Sequence, residues 1–168
     1  MTDVDCIDKK EEFVLKEKKI LIVEDDPDHA ELIIDVLNTG DIKMEIILKE
    51  DGRDAIDYLQ ELYIDDNVGM EFQIDLIISD LNMPKVSGMN VLKFLKNDPR
   101  YRPIPVIIFS TSSDDETISE VYENGADCFY KKSGSFEEFI NNIKLMKQNW
   151  LVQKLITQIE STATSVCN

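Results

Sequence analysis

The sequence predicts a doubly wound α/β domain, a five-stranded parallel sheet in the order 2-1-3-4-5 with helices on both faces. Two observations predict it. Short β-branched runs at 20–23, 45–48, 76–79, 106–109 and 128–130 alternate with segments of helical spacing, and strand–helix alternation repeated five times winds a parallel sheet. Several of the runs are continuously apolar, which suits strands buried on both faces.

The elements follow in order. Residues 1–18 are dominated by charge (Asp8, Lys9, Lys10, Glu11 and Glu12, then Lys16, Glu17 and Lys18) and read as a loose or helical arm. After the first strand, 30–37 carries Leu32, Ile33, Val36 and Leu37 on one helical face, with Asp28 as N-cap and Gly40 as stop. The second helix is expected at 55–62 and the third at 89–95, capped by Ser87. Pro99, Pro103 and Pro105 mark the connection into the fourth strand, and Gly125 ends a fourth helix at 117–122. A long helix starts near Ser135, with Phe136, Phe139, Ile140, Ile143 and Met146 toward the sheet. Trp150, Leu151, Val152, Leu155, Ile156 and Ile159 continue its apolar stripe, and no Pro or Gly follows Gly134. The organisation is thus an arm (1–18), a domain (19–148) and a helical extension (149–168).

With 18 basic and 34 acidic residues, the chain carries a net charge of −16. That field repels phosphate backbones and anionic lipid, so nucleic acid and membrane are not expected partners. No apolar run reaches the roughly 18 residues of a membrane span, and the acidic N-terminus lacks the pattern of a signal peptide. Cys6, Cys128 and Cys167 are too scattered for a metal site or a disulfide framework. The expected location is cytoplasmic.

In such sheets chemistry gathers outside the carboxyl ends of the strands, where strand order reverses. Glu24, Asp25 and Asp26 follow the first strand, Asp80 the third, Ser110 and Thr111 close the fourth, and Lys131 and Lys132 lie at the fifth. Strands one and three are neighbours in this order, so their carboxylates converge. Converging carboxylates call for a cation, and an oxygen-only ligand set favours Mg²⁺. Asp80 is then placed as a nucleophile toward a phosphoryl group, Lys132 as a balancing charge, and Ser110 as a hydrogen-bond donor to phosphoryl oxygen.

The segments Val23-Glu24-Asp25-Asp26, Asp80-Leu81-Asn82-Met83-Pro84 with Gly88, Ile108-Phe109-Ser110-Thr111 and Gly125-Ala126 with Lys132 resemble the receiver domain of two-component response regulators. The likeness runs from about Ile20 to Leu145, and the spacings agree: 30 residues from Asp80 to Ser110 and 22 from Ser110 to Lys132. The resemblance implies a flavodoxin-like, CheY-like three-layer sandwich. It implies Asp80 as the phosphoacceptor and a magnesium site of Glu24, Asp25, Asp80 and the Asn82 backbone carbonyl, with Asp25 the more direct ligand of the acidic pair. It further implies Ser110, Thr111 and Phe129 as the switch, Lys132 as the phosphate-pairing lysine, and a sensor histidine kinase as phosphodonor. Asp98-Pro99-Arg100-Tyr101-Arg102-Pro103, Gly125-Ala126-Asp127-Cys128 and Trp150-Leu151 are similar to the phytochrome-associated single-domain regulators, which adds a light-sensing, phytochrome-like kinase as a candidate donor. Where the family places proline after the lysine, in a cis peptide, this chain has Ser133-Gly134, and a trans Lys132–Ser133 bond is expected.

Plainer readings stand beside these. Asp26 and Asp28 read as helix caps, Cys128 as a small buried hydrophobe and His29, the sole histidine, as a surface residue. Phe129 fits plain core as well as a switch. A phosphohydrolase would carry its nucleophile on the first strand and add a cap segment. A binding-only receiver would show a broken acidic set, and a nucleotide-binding relative would need a glycine-rich first turn. The expected protein is therefore not an enzyme but a phosphoprotein that acts through phosphorylation-dependent protein–protein contact. The apolar extension predicts a homodimer through the C-terminal helix region, the alternative being that it folds back onto its own domain with Phe13, Val14 and Leu15 of the arm as a cover.

Overall fold

The computed structural model describes residues 17–62 and 74–152. Five parallel strands, β1 (Lys18–Val23), β2 (Met44–Lys49), β3 (Leu76–Ser79), β4 (Val106–Ser110) and β5 (Cys128–Lys131), lie in the order β2-β1-β3-β4-β5. The connecting helices are α1 (Pro27–Leu37), α2 (Gly52–Leu62), α3 (Gly88–Asn97), α4 (Asp115–Glu123) and α5 (Phe136–Lys147), and α5 runs on into a π-helical turn, Gln148–Val152.

Strand alternation divides the core in two. Ile20, Ile22, Leu76, Ile78, Ile107 and Phe109 face Ile33, Val36 and Leu37 of α1 and Phe139, Ile143 and Met146 of α5. The intervening residues Leu21, Val23, Ile77, Val106 and Ile108 face α2, α3 and α4 through Leu59, Val91, Leu92 and Val121. β1, β3 and β4 are buried almost throughout because helices cover both of their faces. The edge strands β2 and β5 are only partly covered, so Cys128 is half-buried rather than buried.

Several details correct the sequence reading. β1 begins at Lys18, two residues before the expected run at 20–23; Lys18 pairs with Met44 and its ammonium lies 3.0 Å from Asp75. The N-cap of α1 is Asp26, not Asp28. Its carboxylate accepts from the amides of Asp28 (2.9 Å) and His29 (3.3 Å), and Pro27, lacking an amide proton, fills the first helical position. Phe136 is 68% exposed: as the first residue of α5 it stands beyond the cover of the sheet. Trp150 packs back onto the α1/α5 face of the core, because it extends the spacing of Phe139, Ile143 and Met146 along that same face. It is therefore partly covered by its own domain. The homodimer expectation otherwise rests on Leu151, Val152, Leu155, Ile156 and Ile159; the side chains of the first two and the whole of the others lie outside the described residues, as do residues 1–16 of the arm.

Other expectations hold. Ser87 caps α3 through the Asn90 amide. Gly40 and Gly125 take left-handed backbone (φ 86° and 91°) just beyond α1 and α4, where an L side chain would be strained. No cis peptide occurs among the described residues, so the Lys132–Ser133 bond is trans. No helix among the described residues is long and apolar enough to cross a membrane.

Candidate functional site

The register of the sheet assembles the site. Val23 lies opposite Ser79, so the next residues, Glu24 and Asp80, leave the sheet side by side, and the Asp80 amide donates to the Val23 carbonyl at 2.9 Å. Ser110 lies opposite Lys131, and the Lys132 amide donates to the Ser110 carbonyl at 2.8 Å. Lys131 is exposed while Lys132 is buried, because adjacent residues of a strand point to opposite sides.

Carboxylate oxygens of Glu24, Asp25 and Asp80 lie within 4.8 Å of one another; Glu24 and Asp80 are buried and Asp25 is exposed. The Lys132 ammonium bridges the buried pair, 2.6 Å from Glu24 Oε2 and 2.7 Å from Asp80 Oδ2. Burial pushes the Glu24 carboxyl above the usual carboxylate range, and the Lys132 charge opposes that rise. Three carboxylates against one ammonium leave an excess of negative charge. Their all-oxygen donor set, with one member facing solvent, fits a hard divalent cation.

Asp80 is held from several sides. Its Oδ1 accepts from the Asn82 amide at 3.2 Å, and the Ser79 hydroxyl donates to its backbone carbonyl at 2.9 Å. The loop after it turns tightly through Gly88, whose own amide donates to Leu81 O at 3.0 Å. A β-carbon on Gly88 would fall 1.7 Å from the Asp80 carbonyl oxygen, so only glycine allows this approach. Lys85, in left-handed backbone (φ 61°), reaches across to Asp51 at 2.5 Å and ties this loop to the N-terminus of α2. The Lys85 ammonium, helped by the Asp54 amide, holds the Asp51 carboxyl below its ordinary value.

Ser110 is fully buried at the end of β4, and the Asn82 side-chain amide donates toward its hydroxyl at 3.4 Å. The same amide makes a shorter bond, 2.7 Å, to Ser112, a residue the sequence reading did not single out. Thr111 is exposed. Phe129 is half-buried against the α2–α4 face of the core, and its amide donates to the Tyr122 hydroxyl at 3.2 Å. Its position two residues before Lys131 on β5 fits core and switch alike.

His29 departs most from expectation. It is only half-buried, but it flanks the cluster: its Nδ1 lies 3.4 Å from Lys132 Nζ, 3.5 Å from Asp26 Oδ2 and 3.8 Å from Glu24 Oε1. Its place one turn into α1, three residues after the capping Asp26, was the signal available in the sequence.

Residues 20–144 match the response regulator receiver domain family. The chain belongs to that family. Response regulator Rcp1 of Synechocystis sp. is 32% identical over 134 residues, which are 80% of this chain and 89% of that protein. Among solved structures, the phosphorylated cyanobacterial phytochrome response regulator RcpA is 32% identical and superposes with a TM-score of 0.72 over 80% of this chain and 94% of that one. The Mn²⁺-bound form of Rcp1 gives the same identity, TM-score and coverage. The likeness to phytochrome-associated regulators read from the sequence is thus found in the comparisons, and receiver domains of this kind are signalling proteins rather than conventional enzymes.

Proposed function

We propose that the chain is a single-domain response regulator that accepts a phosphoryl group on Asp80 from a sensor histidine kinase in a Mg²⁺-dependent reaction. The observation that carries this reading is the buried Lys132 ammonium held between Glu24 and Asp80, with Asp25 open to solvent beside them. An Asp80 oxygen attacks phosphorus; the new O–P bond forms as the P–N bond to the kinase histidine breaks, and the imidazole leaves. Glu24, Asp25 and Asp80, with the Asn82 carbonyl, would hold the cation, which when bound screens the charge of the incoming phosphoryl oxygens. Lys132 follows the charge from the Asp80 carboxylate onto the phosphoryl group, and the Ser110 hydroxyl is placed to donate to it. Likeness to phytochrome-associated regulators supports a light-sensing kinase as donor, and the acidic chain supports output through a protein partner.

Incubation with phosphoramidate and Mg²⁺ should add one phosphoryl group per chain, stable to acid and released by hydroxylamine, and Asp80→Asn should abolish it. Labelling of that variant at the wild-type rate would refute the assignment.

A further inference from the structure

We infer that His29 is a positioning residue for Lys132: its Nδ1 accepts the third hydrogen bond of the buried ammonium and fixes its direction toward Asp80. An ammonium has three donors and no acceptor. With its side chain only 1% exposed, Lys132 must find all three partners within the protein. Asp80 Oδ2 and Glu24 Oε2 take two, at 2.7 and 2.6 Å, and His29 Nδ1 stands at 3.4 Å for the third. Because Lys132 can only donate, this role requires the tautomer with its ring proton on Nε2 rather than on Nδ1, which also lies 3.5 Å from Asp26 Oδ2.

The imidazole is held in place by packing. It stacks on Phe139 of α5 with centroids 5.1 Å apart and planes at 23°, and Phe139 in turn packs against Phe109, next to Ser110, at 5.1 Å. This row of rings joins α1, α5 and β4. The backbone beyond Lys132 offers less constraint. Ser133-Gly134 carries no ring to fix its backbone, a β-carbon at Gly134 would meet open space, and the segment is tied to α5 through Ser133 and Glu138. The direction of the ammonium therefore depends on its side-chain partners.

The inference rests on the phosphoacceptor reading only for its second readout. His29→Phe keeps the stacked ring and removes the acceptor, whereas His29→Asn places an oxygen near the Nδ1 position. The first readout is hydrogen exchange of the Lys132 ammonium, followed by ¹⁵N NMR on the full chain without metal or phosphodonor. It should quicken about tenfold in His29→Phe, as expected when a buried donor loses its partner, and return to within about twofold of wild type in His29→Asn. The second is phosphorylation at saturating phosphoramidate, which should slow about tenfold in His29→Phe while the half-saturating Mg²⁺ concentration changes less than about twofold. Wild-type exchange in His29→Phe would overturn the inference. So would a loss of Mg²⁺ affinity as large as the loss of rate, because His29 would then act through Asp26 and Glu24. Exchange is read without phosphoryl transfer, so it tests His29 even if Asp80→Asn labels normally and the acceptor reading fails.

Discussion

Replacing Lys132 by methionine tests the electrostatic design of the site. The substitution keeps an unbranched side chain and removes the charge, leaving Glu24 and Asp80, both buried, with no ammonium between them. Breaking a buried pair in this way costs about 3–5 kcal/mol. The lower end, about 3 kcal/mol, applies here because Asp25 beside them is open to solvent. For a domain of this size that is a fall in Tm of about 6–12 °C. The loss should depend on pH. The Glu24 carboxyl is already raised by burial, so this group favours the folded state most when protonated, and that contribution fades as pH rises through the folded value. Without Lys132 the folded value rises further. The gap between variant and wild type should be smallest below about pH 4.3, the ordinary Glu value, and widen toward neutrality. Mg²⁺ should narrow the gap at pH 8, since a variant without the competing ammonium binds the cation more tightly; a tenfold gain is worth about 1.4 kcal/mol. Urea unfolding at pH 5 and pH 8, with and without Mg²⁺, measures all of this. A gap indifferent to both pH and metal would show that Lys132 does not neutralise these carboxylates.

Two further predictions concern the loop after Asp80. Gly88→Ala places a β-carbon 1.7 Å from the Asp80 carbonyl oxygen, against an ordinary contact of about 3.5 Å, so the loop must withdraw by more than about 1 Å. Phosphorylation should slow by roughly 100-fold and stability should fall by about 1–3 kcal/mol, whereas Gly134→Ala, which meets open space, should change neither; equal effects in labelling and unfolding assays would refute this. Lys85→Met should let the depressed Asp51 carboxyl rise toward its ordinary value, followed by ¹³C NMR titration. The stabilisation from that pair is present above about pH 3.9, the ordinary Asp value, and is lost as pH falls through the folded value, so the variant should differ from wild type near neutrality and converge in acid; an unchanged Asp51 titration would refute it.

The sequence by itself determined the winding of the sheet and the members of its acidic centre. Apolar runs at 76–78 and 106–109, alternating with helical segments, suit a parallel, helix-covered sheet, and that topology sends Glu24, Asp25, Asp80 and Ser110 to one edge whatever the packing details. Tertiary structure decided which neighbours complete the site. His29 meets Lys132 across 103 positions, Lys85 meets Asp51 across 34 and Asn82 meets Ser112 across 30. None of these pairs shares an element whose periodicity could announce it. Their contacts depend on side-chain direction at helix and loop ends, where one residue of register turns a surface histidine into a lysine's partner. The same holds at the end of α5, where helical spacing alone could not tell that Trp150 folds onto its own core while Phe136 stands in solvent. The apolar pattern fixes which face a helix presents, but how far the sheet extends beneath it is set by the strands it packs on.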